Sequence, residues 1–305
     1  EMTFSPWKEK APYPLDDAAV HHVFDGGWMW VLNFNNDITS AGVAVRGELA
    51  RELRLEEGRS AWDRLLERLP SVAEQFAEAK PLFEFSHVPK LSFRSEKTSG
   101  PGWVLLPSAA GFVDPLMSTG FPLTLLGVSR LAQAIEQSWG SRSFGAGLEA
   151  YDVETKAELM VVEQMVAALY DSMHDFELFT SLSLLYFAAL SFTETARRLG
   201  RPQLAQSFLL TDNEKFGPQA SACFEQAVVG LTPIQRTRLM EQIRQTIEPF
   251  DVAGLTDQSR GNWYPVNVDD LFAASEKLGV GHEQITELLV RSGFFESEQR
   301  RGHDL

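Results

Sequence analysis

The repeat of apolar residues changes partway along this chain, and that change limits the folds open to it. Before Val45 they come in short β-branched and aromatic runs, "VHHVF", "GWMWVLNF" and "ITSAGVAV", separated by Asp25-Gly26-Gly27 and Asn35-Asn36-Asp37. Runs of that length bounded by Gly, Asn and Asp predict an antiparallel meander of three strands. After Pro122 apolar side chains recur at i, i+3 and i+4, as in Leu159, Val162, Val166, Leu169 and Met173. That is the stripe of a helix with one face in a core.

The stretch between these two regimes is mixed. Residues 60–80 predict two short helices broken at Pro70, with Trp62, Leu65, Leu66 and Leu69 and then Val72 and Phe76 at helical spacing. "FEFSHVPKLSF" (83–93) has strand character, and "WVLL" (103–106) reads as a buried strand. Helices are expected over 122–137, 148–173, 176–199, 203–210, 217–229, 232–247, 268–278 and 282–292. Gly200-Arg201-Pro202, Gly230 and the segment 248–265 separate them. Residues 1–17, rich in Pro, Lys and acidic residues, read as an extended lead-in. The expected class is α+β: a sheet-bearing part over 1–121, then a helical region over 122–305.

Charge removes whole classes of partner. Lys and Arg number 27 against 42 Asp and Glu, a formal charge of −15, whereas a surface that neutralises phosphates needs the opposite balance. Nucleic acid and anionic membrane surfaces are therefore disfavoured. The apolar stretch "SLSLLYFAALSF" (181–192) is shorter than the about 20 residues a membrane span takes. "EMTFSPWKEKAPYP" has no apolar core of a signal peptide. A cytoplasmic setting is the expectation.

Most catalytic signatures are absent from these residues. Gly145-Ala146-Gly147 has no third glycine and no preceding strand, so it is the start of a helix and not a phosphate loop. Cys223 is the single cysteine, which excludes a multi-cysteine metal site, and no metal is expected. His21 and His22 are neighbours on a strand and point to opposite faces, so they cannot chelate one ion together. His174-Asp175 reads as a helix C-terminal cap that complements the helix dipole, and Cys223 as a small core residue.

One stretch carries chemistry: "PSAAGFVDPLMSTGFPLTLLG", 107–127. Ser108 and two alanines let backbone approach a ligand closely, Asp114-Pro115 sets a turn, and Ser118, Thr119 and Gly120 lie where the next helix begins. The amides at a helix start favour an anion or an electron-rich carbonyl, and Pro122 in the first turn loses nothing by lacking its N–H. A plain capped turn explains the same residues equally well on physics alone.

The stretch resembles the second flavin motif of the FAD-dependent halogenase and aromatic hydroxylase superfamily, G-D-A-A-G-F-x-D-P-x-x-S-x-G. "GGWMWVLNF" resembles the G-W-x-W-x-I-P signature of flavin-dependent halogenases, and the two occur in the family's order. The likeness runs over roughly residues 10–200, and the helical remainder is similar to that family's variable substrate-covering region. It implies an FAD-dependent enzyme that uses reduced flavin and O₂ to halogenate an aromatic substrate. Ser108, Ala109, Ala110, Gly111, Asp114, Pro115 and Gly120 would contact the cofactor. The Thr119 and Gly120 amides would bind halide, and Trp28, Trp30, Met117 and Phe121 would line the substrate cavity. Tyr170, Phe176, Phe179 and Tyr186 are aromatic enough to face substrate, but a core role is the expected one for each.

Departures from the pattern bear on the reaction. Gly-Asp of the motif is Pro107-Ser108, and Ile-Pro of the signature is Leu32-Asn33. Met117 stands where tryptophan halogenases carry a Glu, which points to phenol- or pyrrole-like substrates, free or carrier-tethered, in place of free tryptophan. The family's G-x-G-x-x-G and relay lysine would lie before Glu1. That implies an incomplete FAD-binding fold, inactive by itself, whose partners are a missing N-terminal half and a flavin reductase. Two other readings stay open: a hydroxylase or other flavin oxidoreductase of the same architecture, and a non-catalytic helical binding module.

Overall fold

The computed structural model describes residues 18–265 and 267–293; the expected lead-in over 1–17 lies outside the described residues. The fold is α+β. The chain divides after Phe93 into two compact units, Glu1–Phe93 and Arg94–Leu305.

The first unit is the meander and three short helices. Strands β1 (Val20–Phe24), β2 (Gly27–Asn33) and β3 (Thr39–Val45) pair antiparallel in the order β1-β2-β3, as the turn residues dictate. Gly26 and Asp37 take the left-handed backbone (φ 80° and 62°) that such tight turns need. The register sets Val23 opposite Trp28 and His21 opposite Trp30, so these four share one face. The other face carries Met29 and Val31, which join Leu53, Leu65 and Val72 in the unit's core. These come from α1 (Gly47–Leu53), α2 (Arg59–Arg68) and α3 (Pro70–Gln75). Helix α1 was not expected from the sequence. Pro70 opens α3 at its first turn, where proline's missing N–H is harmless. The strand expected over 83–93 does not form; only β4 (Phe93–Arg94) is extended pairing. Residues 77–94 are exposed throughout and Pro89 withholds an amide, so the alternating apolar residues have no layer to bury against.

The second unit is mostly helix. A two-strand ribbon, β5 (Ser99–Gly100) with β6 (Trp103–Val104), pairs antiparallel, and Gly102 turns it at φ 79°. "WVLL" is therefore a strand only in its first half, and it is not buried: Trp103 is 45% exposed. A short helix α4 (Pro107–Ala110) and strand β7 (Gly111–Phe112) follow. Then come α5 (Gly120–Ser138), α6 (Phe144–Ser172), α7 (Phe176–Arg198), α8 (Gly217–Gln226), α9 (Pro233–Ile247), α10 (Val268–Ala273) and α11 (His282–Arg291). The long α6 is central, packing on α5, α7 and α8, while α7 also packs on α9. The unit begins before the change of composition at 121 because 98–110 is bound to α5 and α6. Thr98 N–H donates to Asp152 at 2.6 Å, and Tyr151 Oη donates to the Leu105 carbonyl at 2.8 Å.

Helix α7 is long and apolar enough, by length and composition, to cross a membrane. The qualifying window is wider than 181–192. One side of α7, including Leu182, Leu185, Ala188, Ala189 and Phe192, is buried against α6 and α9, as in a core helix.

Two expectations are corrected. Residues 203–210 are not a helix but single 3₁₀ turns at Pro202–Leu204 and Phe208–Leu210. Arg197 captures the Ala205 carbonyl at 2.7 Å and Glu158 captures the Phe208 amide at 2.7 Å, so the backbone bonds that a helix would need go elsewhere. Asp175 is not a C-terminal cap: it caps the start of α7, accepting from Leu178 N–H at 3.2 Å, and forms an ion pair with Arg236.

Candidate functional site

The flavin-like motif occupies one continuous cleft of the second unit, lined by Pro107, Ser108, residues 111–114, Thr119 and Gly120, with Leu123, Leu159 and Val162 behind them. Local sequence explains its floor. Pro107 starts α4 with φ suited to a helix. Gly127 lets α5 lie against it, since a Cβ there would come within 2.4 Å of the Pro107 ring. Ala110 and Gly111 are buried, while Ser108 and Ala109 are exposed at the mouth. Nothing would meet a Cβ at Gly120 within 4 Å, so a ligand has room to reach the backbone at the start of α5.

The turn is built around Asp114. One carboxylate oxygen accepts Leu116 N–H at 2.9 Å and the other accepts Tyr170 Oη at 2.9 Å. Its charge is thus spent on shaping the turn, and among the described residues it is the only charged side chain lining the cleft. After Pro115, Met117 and Ser118 both take left-handed backbone, φ 64° and 52°, an unfavourable conformation for residues with a side chain. Thr119 returns to φ −58° and is buried. Met117 is partly buried and Phe121 is 78% exposed.

Three tyrosines hold this segment from the helices, and the sequence did not single out that role. Tyr151 and Tyr170 on α6 bind the Leu105 carbonyl and Asp114, and Tyr186 on α7 donates to the Met117 carbonyl at 2.6 Å. The only signal for them in the sequence was general: a buried tyrosine hydroxyl needs an acceptor. Phe179 is a core residue, 6% exposed, while Phe176 is 65% exposed. Behind Tyr186 lies a larger apolar cavity of about 280 Å³, walled also by Leu185, Phe216 and Phe224.

On the first unit Trp28 and Trp30 form their own aromatic cluster. Their rings are 5.7 Å apart, and His21 lies 4.8 Å from Trp28. Trp28 is 2% exposed. Gly42 makes room for the Trp30 indole, which a Cβ would approach to 2.0 Å. The departure at Leu32-Asn33 is accommodated at the hairpin end, where Asn33 Oδ1 accepts Thr39 Oγ1 at 2.8 Å. Among the described residues no group of three or more His, Cys, Asp or Glu is placed to hold a metal ion.

With this geometry in view, known proteins place the chain. Tetracycline 7-halogenase of Kitasatospora aureofaciens is 29% identical over 165 residues, 51% of this chain and 29% of that protein. Monodechloroaminopyrrolnitrin halogenase PrnC of Pseudomonas fluorescens is 28% identical over 176 residues, 56% of this chain and 31% of that protein. A 1H-pyrrole-2-carbonyl-[peptidyl-carrier protein] brominase of Pseudoalteromonas luteoviolacea is 25% identical over 126 residues, 41% of this chain and 30% of that protein. The matched stretches thus span under a third of each of these relatives. Halogenase PltM shares the fold, with a TM-score of 0.65 at 20% identity over 85% of this chain and 57% of PltM. A PltM structure in complex with phloroglucinol and FAD gives a TM-score of 0.51 at 20% identity over 93% of this chain and 55% of that one. The tryptophan halogenase family model matches residues 6–177, more than half of this chain, and the chain belongs to that family.

Proposed function

We propose that this chain supplies part of an FAD-dependent halogenase that acts on a phenol- or pyrrole-like aromatic, free or tethered to a carrier protein. The observation that carries the reading is the cleft over 107–120, whose open floor is backbone and small side chains ending at the amides that begin α5. In this reading Ser108, Ala109, Ala110, Gly111 and Pro115 would hold a flat cofactor by backbone and small-group contact, with Asp114 fixing the turn. Bound FAD, reduced and supplied with O₂, would provide the oxidising equivalent. The residues of this chain bind, orient and exclude water.

Among the described residues no cationic side chain lines the cleft, so a halide there would be held by N–H groups. Thr119 and Gly120, at the positive end of the α5 dipole, are the donors we assign. Met117 and Phe121 are the side chains of the second unit that we assign to the aromatic substrate; Trp28, at 2% exposure, and Trp30 pack as the aromatic face of the first unit. Apolar Met117 favours a phenol or pyrrole over free tryptophan. The reading also calls for a flavin reductase, for a dinucleotide-binding half and a relay lysine outside these residues, and for a cytoplasmic setting.

The test is product analysis by mass spectrometry with FAD, a flavin reductase, O₂ and bromide or chloride, for the intact protein and its Thr119→Pro variant. Thr119 has φ −58°, within proline's range, so the change removes the amide donor, together with a buried side chain and some freedom of the preceding Ser118. Halide-dependent product in the wild type and its loss in the variant are expected. Unchanged halogenation by Thr119→Pro would remove the amide assignment. Leu32-Asn33, in place of the signature's Ile-Pro, keeps hydroxylation as the second reading; a halide-independent oxygenated product would establish it.

A further inference from the structure

The peptide plane between Met117 and Ser118 is held at both of its polar ends. Its carbonyl accepts the Tyr186 hydroxyl at 2.6 Å, and its N–H donates to the Pro115 carbonyl at 3.0 Å. The orientation of that plane sets ψ of Met117 and φ of Ser118, and both residues are left-handed, at φ 64° and 52°. Neither is glycine, so the conformation persists only where surrounding groups over-determine it. Asp114, held by Tyr170, pins the start of the turn, and Tyr186 pins its end. Tyr186 is 3% exposed and rises from the middle of α7, beyond the residue at which the family match stops. Burial pushes its phenol up to about 12, so the group stays a neutral donor at any working pH.

We infer that Tyr186 is a positioning residue: its hydroxyl locks the Met117–Ser118 peptide so that the Thr119 and Gly120 amides face the anion. The inference rests on the halide reading of that loop. It assigns to the helical region beyond residue 177 a part in anion binding that none of its residues performs by touching the anion.

The experiment uses the ¹⁵N-labelled full chain, Tyr186→Phe, and Phe192→Leu as a control. Phe192 lies on the same helix, buried against Phe250, and its truncation loosens α7 without touching the loop. Two quantities are read by NMR: hydrogen exchange of the Ser118, Thr119 and Gly120 amides, and their shifts on titration with sodium bromide at constant ionic strength. Tyr186→Phe is expected to speed Ser118 exchange by about tenfold, the equivalent of one hydrogen bond, while α5 from Leu123 onward stays protected. Bromide-induced shifts at Thr119 and Gly120 are expected to need several-fold more bromide in that variant and no more in Phe192→Leu. Unchanged Ser118 exchange in Tyr186→Phe overturns the inference whatever bromide does, and so does an equal rise in Phe192→Leu. Faster exchange with no bromide response in the wild type overturns the halide reading and the anion-positioning role together, leaving Tyr186 only as the residue that holds the turn.

Discussion

Removing the guanidinium of Arg130 tests how α5, the helix that begins at the cleft, is fixed to the rest of its unit. Arg130 Nη1 donates to Glu158 Oε2 at 2.7 Å, a second Arg130 nitrogen pairs with Oε1, and Nε lies 3.0 Å from Glu154. Glu158 is 3% exposed, and its Oε1 also accepts Phe208 N–H at 2.7 Å. Arg130→Met leaves that carboxylate buried with a single amide donor. Breaking one side of a buried pair costs about 3–5 kcal/mol; with the Arg130 side chain 16% exposed, the lower end, about 3 kcal/mol, applies. For a unit of this size the melting temperature falls by about 2–4 °C per kcal/mol, so a drop of about 6–12 °C is expected. Urea unfolding and calorimetry read both quantities. The double variant Arg130→Met, Glu158→Met removes both charges, leaves the more exposed Glu154 to solvent and orphans the buried Phe208 amide, a penalty of about 1–3 kcal/mol. It should therefore be more stable than the sum of the two single losses by at least about 1 kcal/mol. A loss below about 1 kcal/mol in Arg130→Met, the size of a surface pair, would refute the reasoning from burial, and strict additivity would refute the pairing.

Three further outcomes follow from the same geometry. Gly42→Ala drives a methyl into the Trp30 ring and should cost about 1–3 kcal/mol with a red shift of tryptophan emission; native stability and emission would show that the indole has room to move. The Arg236 hydrogen bonds hold the Asp175 carboxyl below its usual range, so its stabilisation is complete above the unfolded value of about 3.9 and is lost as pH falls through the folded value. Asn keeps the cap, so the stability gap between wild type and Asp175→Asn should hold from pH 7 to 5 and close in acid; a gap that persists to the lowest pH rules this out. Cys223 is fully buried, and burial pushes its thiol up to about 11, so a disulfide reagent at pH 8 should leave it unlabelled until urea unfolds the chain; rapid native labelling would contradict that burial.

The meander, its turns and most helices were legible because each depends on neighbours two, three or four residues away. Val20–Phe24, Gly27–Asn33 and Thr39–Val45 are short β-branched and aromatic runs bounded by turn residues, and the stripe on α6 repeats at helical spacing. The motif over 107–120 was legible as a set of residue types: small side chains, a turn and a helix start. Local pattern failed where a segment's partners decide its state. The run 83–93 alternates like a strand but has no layer to cover it, and 203–210 looks helical but gives its backbone groups to Arg197 and Glu158.

What the sequence determined alone was therefore the α+β class, the meander, most of the helices and the residue types of the stretch over 107–120. Tertiary structure decided who holds that cleft in shape. The hydroxyls of Tyr151, Tyr170 and Tyr186 reach acceptors 46, 56 and 69 residues away. No periodicity encodes such pairs, because they exist only once α6 and α7 have packed. Burial then obliges each hydroxyl to find an acceptor, and the backbone of the turn is what lies within reach.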